Sequence, residues 1–154
     1  MLRRLTLVFV ALFAAVAMAP ELQGQAGVPQ WSPPTREMPA MPLMADLQGD
    51  WLSPIAAWFG GVEQLSGVST ARLRAAGEAR SGSDRAQFVR FTSGPVPVAA
   101  WSDRNGDGRL DMLELYRNGV MVIQVIDADY DGRANVMRVH DASGTLVREE
   151  RLNR

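Results

Sequence analysis

Apolar runs separated by turn signals predict consecutive β-hairpins in the C-terminal part of the chain. Residues 120–126 (VMVIQVI) are β-branched and apolar, as strands often are. The order strand, turn, strand recurs at 136–140, 141–144 and 145–151. Asn118-Gly119 lies between two apolar runs, and this dipeptide is the strongest short-range signal for a hairpin turn. We therefore predict a mainly β fold built of successive hairpins.

The region before these hairpins has a weaker pattern of the same kind. Residues 70–75 and 87–92 are candidate strands on either side of a loop at 77–84, and residues 96–101 would pair next. We expect a first hairpin here that lacks an acidic loop.

A short helix is predicted ahead of the strands. Ser53-Pro54 has the form of an N-cap followed by proline in the first turn, and Gly60-Gly61 is expected to end the helix. Trp58 would either cap the sheet or contact a protein partner. The packed cap is the favoured interpretation.

The segment 1–19 has the pattern of a signal peptide. Arg3 and Arg4 precede an apolar run that is short for a membrane span, and cleavage is expected after Ala19 or as late as Ala26. We therefore expect a secreted or periplasmic protein with no stable membrane insertion after the signal is removed.

The remainder of the chain divides into a linker and one domain. Residues 20–45 are rich in proline and methionine and show no apolar period, which predicts a partly extended tether. Residues 46–154 are expected to form the β-rich domain, with acidic loops at 103–114 and 127–138.

The distribution of charged residues indicates which classes of molecule this protein could bind. The formal net charge is −1, and loss of Arg3 and Arg4 with the signal makes it more negative by two. The chain has no lysine, its arginines are scattered, and no basic patch for nucleic acid is expected. It has no cysteine, so disulfides are excluded. Seven of the 17 carboxylates fall between positions 103 and 131, where they repel one another unless a cation is bound.

The first acidic loop has the spacing of a twelve-residue calcium loop. Oxygen-bearing side chains occupy positions 1, 3, 5, 9 and 12, and Gly108 at position 6 permits the sharp bend. A hard, all-oxygen shell of this kind suits Ca²⁺. The predicted ligands are the side chains of Asp103, Asn105, Asp107, Asp111 and Glu114, with the carbonyl of Arg109 at position 7.

A second copy of this loop begins at Asp127. Position 12 is Arg138, so the carboxylate that would bind through two oxygens is missing. The loop either binds calcium more weakly or is a turn held by hydrogen bonds from its own side chains. The predicted ligands are Asp127, Asp129, Asp131, Asn135 and the carbonyl of Arg133.

The segments DRNGDGRLDMLE and DADYDGRANV resemble the DxDxDG calcium loops of the EF-hand-like superfamily. The resemblance implies calcium as the bound ion and little else about function. The flanks differ from a helix-loop-helix pair, because Pro95 and Pro97 exclude a helix before the first loop. Residues 110–116 also have fair helix propensity, so the sequence leaves open whether a helix or a strand follows that loop.

Two functions follow from these observations. The first is a secreted calcium-binding module in which the ion stabilises loops between hairpins, at the modest affinity of extracellular modules, about 10⁻⁴ to 10⁻³ M. The alternative is a metal-independent β-repeat protein, since HDASGTLVRE (140–149) resembles the YD-type repeats of large secreted β-shell proteins. We do not expect an enzyme, because His140 is the only histidine and no nucleophile motif or phosphate loop occurs.

Overall fold

Seven strands form one antiparallel sheet in the computed structural model, which describes residues 28–48 and 56–152. Each strand pairs with the next one along the chain, so the predicted mainly β fold of consecutive hairpins is confirmed. The strands are β1 (Arg74–Ala79), β2 (Ala86–Ser93), β3 (Val96–Ser102), β4 (Met112–Arg117), β5 (Val120–Ile126), β6 (Val136–His140) and β7 (Leu146–Arg151).

The hairpin turn between β4 and β5 is the one that the sequence predicted. Asn118 has a φ of 52° and Gly119 a φ of 80°. Two positive φ values at the centre of a two-residue turn match the right-handed twist of the flanking strands. β4 itself is a strand, which settles the open choice between helix and strand after the first acidic loop.

The two faces of the sheet differ, because successive side chains of a strand point to opposite sides. One face is apolar, and paired residues cross it as a buried row formed by Phe91, Ala99, Leu115, Ile123 and Val139. The other face carries a row in which positive and negative side chains alternate, with the uncharged Ala100 and Gln124 between some of them. The row is formed by Arg90, Ala100, Glu114, Gln124, Arg138 and Glu149. We call these the inner and the outer face.

The one α-helix among the described residues, α1 (Ala56–Ser66), packs on the inner face against β3 and β4. The ring of Phe59 lies 4.8 Å from the ring of Phe91, edge to face, and 5.9 Å from the stacked ring of Trp101. Such aromatic pairs add to the stabilisation that burial of apolar area provides. Trp58 is buried in the same core, as expected for a packed cap.

The predicted end of this helix at Gly60-Gly61 is wrong, because α1 continues to Ser66. Gly61 is required by packing rather than by a helix end, since the indole ring of Trp31 occupies the space that a Cβ would take. The predicted helix start at Ser53-Pro54 lies outside the described residues.

β1 begins later than predicted. Residues Thr70–Arg72 form a 3-10 helix, and β1 includes Gly77, which the sequence pattern assigned to a loop. The side chain of Leu47 packs directly against Gly77, where any larger residue would collide with it. This contact is with a distant segment, so the local pattern did not reveal it.

The predicted signal peptide and its cleavage region lie outside the described residues. Within the described part of the chain, no helix has the length and apolar character needed to cross a membrane.

Residues 36–43 are extended, and Met44 begins a 3-10 helix, Met44–Gln48; we call residues 36–44 the strap. It lies across the loops that join β1 to β2, β3 to β4 and β5 to β6, as isolated β-bridges to each of them show. These loops share one end of the sheet because the strands alternate in direction. Met38 and Met41 of the strap are 2% and 1% exposed. The described part of the predicted linker is therefore packed into the domain.

Candidate metal centre

Three loops lie side by side beneath the strap. Loop A (80–85) joins β1 to β2, loop B (103–111) joins β3 to β4, and loop C (127–135) joins β5 to β6. Loop A has a single acidic residue, Asp84, as expected for a first hairpin without an acidic loop.

The strap contacts equivalent positions in the three loops. At the first of these positions a loop carbonyl accepts a strap N–H, and two residues later a backbone N–H donates to a strap carbonyl. Successive contacts fall at every third residue of the strap and at a longer, equal spacing in the loops. The part of the chain that the structure describes therefore contains three structural repeats. The donor and acceptor pairs are Met44 to Asp84, Met41 to Gly108, Met38 to Gly132, Ala86 to Pro42, Leu110 to Pro39 and Ala134 to Arg36.

Loop B brings three of its predicted ligands together. Carboxylate oxygens of Asp103, Asp107 and Asp111 lie within 4.8 Å of one another. Asp103 and Asp111 are 5% and 1% exposed, whereas Asp107 is exposed. Two buried carboxylates beside a third one concentrate negative charge in a site where water screens it poorly.

The two buried carboxylates also fix the path of loop B. Asp103 accepts hydrogen bonds from the backbone N–H groups of Gly106 and Gly108, at 2.5 and 2.9 Å. One oxygen of Asp111 accepts from the N–H groups of the two residues that follow Asp103, at 2.6 and 3.0 Å. Each oxygen of Asp103 accepts one of these bonds and keeps a second lone pair, and these bonds do not use the other oxygen of Asp111. Both carboxylates therefore keep capacity to coordinate a cation.

The other predicted ligands of loop B lie at its exposed tip. The side-chain oxygen of Asn105 accepts from the N–H of Asp107 at 2.9 Å, and its amide group donates to a carboxylate oxygen of Asp107 at 2.9 Å. The N–H of Arg109 donates to the other oxygen of Asp107 at 2.8 Å, and Arg109 forms a β-bridge with Ala40 of the strap.

Glu114, the predicted ligand at position 12, is not in this group. It lies in β4 on the outer face, between Leu113 and Leu115, which point into the core. One of its oxygens accepts from the side-chain amide of Gln124 at 2.9 Å, and the other accepts from the hydroxyl of Tyr116 at 2.8 Å. Burial is the main cause that raises the pKa of Tyr116 to about 12, and the hydrogen bond and charge of Glu114 add to it.

Loop C forms a second group of carboxylates. Oxygens of Asp127, Asp129 and Asp131 lie within 4.8 Å of one another. Asp127 is 1% exposed and accepts from the N–H groups of Gly132 and Asp131, at 2.7 and 3.3 Å. Burial raises the pKa of the Asp127 carboxyl, although its backbone hydrogen bonds act in the opposite direction. The negative charge at this position therefore lacks full compensation by the protein.

Asn135 and Arg133 complete the predicted set in loop C. The side-chain oxygen of Asn135 accepts from the N–H of Ala128 at 3.0 Å, and its amide group donates to Asp129 at 2.6 Å. The N–H of Arg133 donates to Asp131 at 2.9 Å, and Arg133 forms a β-bridge with Glu37 of the strap.

Arginines from one loop contact the glycines of the next. The side chain of Arg85 lies against Gly108, and that of Arg109 lies against Gly132. Gly108 and Gly132 have φ values of +85° and +84°, which favour glycine independently of this contact. A cavity of 280 Å³ lies between loops A and B. Its charged lining residues are two arginines and three aspartates: Arg80, Arg85, Asp84, Asp103 and Asp107.

The residues at position 8 confirm that the loops share one packing. Leu110 and Ala134 are both 0% exposed, and Ala86, which follows loop A, is 1% exposed, so all three face the core. Sequence reasoning did not identify loop A as a structural copy or the strap as its partner. The signals were the arginine followed by an apolar residue at 85, 109 and 133, and the period of three in Met38-Pro39-Ala40-Met41-Pro42-Leu43-Met44.

Comparison with protein-family models, with curated proteins and with solved structures finds no match to this chain.

Proposed function

We propose that this protein is a calcium-binding module in which the ion stabilises the loops between consecutive β-hairpins. The observation that carries the proposal is the convergence of three carboxylates in each of loops B and C. The residues that would hold the ions are Asp103, Asn105, Asp107 and Asp111 in loop B, and Asp127, Asp129, Asp131 and Asn135 in loop C, with the carbonyl groups of Arg109 and Arg133 at position 7.

The chemistry of these groups favours a hard divalent cation. Their donor atoms are all oxygens, which suit Ca²⁺ better than the nitrogen- and sulfur-preferring transition metals. In each loop one or two carboxylates are buried, and burial of a charge is costly unless an opposite charge compensates it. A bound cation supplies that compensation, and its binding free energy then adds to the stability of the folded state.

Isothermal titration calorimetry with Ca²⁺ and the chelator-stripped protein tests this proposal. We expect saturable heat with dissociation constants of about 10⁻⁴ to 10⁻³ M. Asp107→Ala should abolish binding at loop B and leave binding at loop C. Asp46→Ala removes an exposed carboxylate outside both groups and is the matched control, with unchanged binding. Heats equal to those of buffer with the native protein would refute the proposal.

A metal-independent β-repeat protein is the second candidate, and loop A is the observation that favours it. Loop A makes the same hydrogen bonds to the strap as loops B and C, although it carries one carboxylate only. In loops B and C the aspartates already accept backbone N–H groups, which closes the turns without an ion. If the protein is a metal-independent β-repeat protein, its melting temperature is the same in calcium and in chelator. On the calcium proposal, it rises with calcium concentration.

Export from the cell belongs to the same proposal. Its support is the signal-like pattern of the segment 1–19, with Arg3 and Arg4 ahead of an apolar run. Sequencing the N-terminus of the protein recovered from its cellular compartment tests it. A start after Ala19, or as late as after Ala26, is expected, and retention of the segment 1–19 on a protein inside the cell would refute it.

A further inference from the structure

We propose that the strap responds to the cation: occupancy of loops B and C tightens its attachment, and release of the strap weakens cation binding. This inference rests on the proposed calcium function. The strap's hydrogen bonds carry it, because they connect directly to the backbone that the acidic side chains hold in place.

One glycine in each acidic loop connects the strap to a buried carboxylate. In loop B, the N–H of Gly108 donates to Asp103 at 2.9 Å, while its carbonyl accepts from the N–H of Met41 at 2.9 Å. In loop C, Gly132 makes the same pair of bonds, to Asp127 at 2.7 Å and from Met38 at 2.9 Å. A cation that draws the aspartates together therefore fixes the orientation of the carbonyl that the strap binds.

Loop A provides an internal reference. The N–H of Met44 donates to the carbonyl of Asp84 at 2.8 Å, and the N–H of Ala86 donates to Pro42 at 2.9 Å. These bonds match those at loops B and C, but among the described residues loop A has no group of three carboxylates that could bind a cation. The cation should consequently act on the bonds at Met38 and Met41 more than on the bond at Met44.

The strap can serve this role because its attachment consists of a few discrete contacts. It is held by six backbone hydrogen bonds, by side-chain hydrogen bonds from Arg36 to the carbonyl of Ala134 and from Arg85 to the carbonyl of Met41, and by the buried residues Met38, Met41 and Pro42. Segments of this kind open locally at a lower free energy than the sheet, and a ligand that favours the closed form reduces that opening.

Amide hydrogen exchange of the full protein, measured by NMR in Ca²⁺ and in chelator, tests the inference. We expect exchange at Met38 and Met41 to slow by about tenfold in calcium, within the range of typical coupling between sites, and exchange at Met44 to slow by less than about threefold. Calorimetry on the same samples separates the two proposals. Calcium binding with unchanged exchange at Met38 and Met41, or equal slowing at all three amides, overturns this inference alone. Absence of calcium binding overturns both proposals.

Reciprocity gives a second test. Because linkage is symmetric, Met41→Ala, which removes a buried anchor of the strap, should weaken calcium binding several-fold. Met44→Ala is the matched control, since Met44 is half-buried and binds loop A, and it should change calcium affinity less than about twofold. Equal calcium affinities for the two variants would contradict the coupling. If Met41→Ala does not fold, the exchange experiment on the native protein decides.

Discussion

Truncation of the buried aspartate of loop B should destabilise the metal-free protein far more than truncation of the exposed one. Asp103 is 5% exposed and accepts two backbone hydrogen bonds, from Gly106 and Gly108. Asp103→Ala leaves both N–H groups without this acceptor. A hydrogen bond to a charged group contributes about 1.5 kcal/mol or more, so the expected loss in unfolding free energy is about 3 kcal/mol.

Asp107→Ala removes the same charge at lower cost. Asp107 is exposed, and the groups that donate to it, the N–H of Arg109 and the amide of Asn105, lie at the loop tip where water can replace it. We expect a loss under about 1 kcal/mol. Relief of repulsion among the carboxylates is larger for Asp103→Ala, because it removes the pair formed with buried Asp111, and this relief opposes the loss of hydrogen bonds. The expected difference between the variants, about 2 kcal/mol, is therefore the largest that the hydrogen bonds of Asp103 would give.

Equilibrium urea unfolding in the presence of chelator, followed by tryptophan fluorescence, measures these losses. Asp103→Asn keeps one side-chain oxygen as an acceptor and should fall between the native protein and Asp103→Ala. If Asp103→Ala and Asp107→Ala differ by less than about 0.5 kcal/mol, the turn of loop B does not depend on the buried carboxylate, and the reasoning is refuted.

Three further substitutions test other parts of the structure. Glu114→Gln should leave calcium binding unchanged in calorimetry. It should also lower the pKa of Tyr116, measured by phenolate absorbance, because it removes the neighbouring negative charge. A loss of calcium binding would contradict the position of Glu114 on the outer face. Leu110→Ala should cost about 2–5 kcal/mol in urea unfolding, since the side chain is 0% exposed, and a loss below about 1 kcal/mol would contradict its packing. Arg138→Ala should cost under about 1 kcal/mol, because its ion pair with Glu149, at 2.7 Å, is half-exposed, and a larger loss in the same assay would show a stronger role for this pair.

The sequence predicted the features that depend on neighbouring residues. The Asn118-Gly119 turn follows from the backbone freedom of two adjacent residues, and the strands around it follow from apolar and β-branched runs. The spacing likewise predicted the three aspartates that converge in each of loops B and C, because a short loop with glycine at its bend brings nearby side chains together whatever the surrounding fold.

Tertiary structure decided the features that depend on distant contacts. Glu114 is on the outer face because β4 pairs with its neighbours as a strand, whereas the loop spacing alone assumed that position 12 returns to the ion. Residues 36–44 show no period of a helix or strand, so the sequence by itself predicts a tether. They are ordered by hydrogen bonds to loops that lie far from them in the sequence. Their period of three acquires meaning only when the sheet places three evenly spaced loops next to one another.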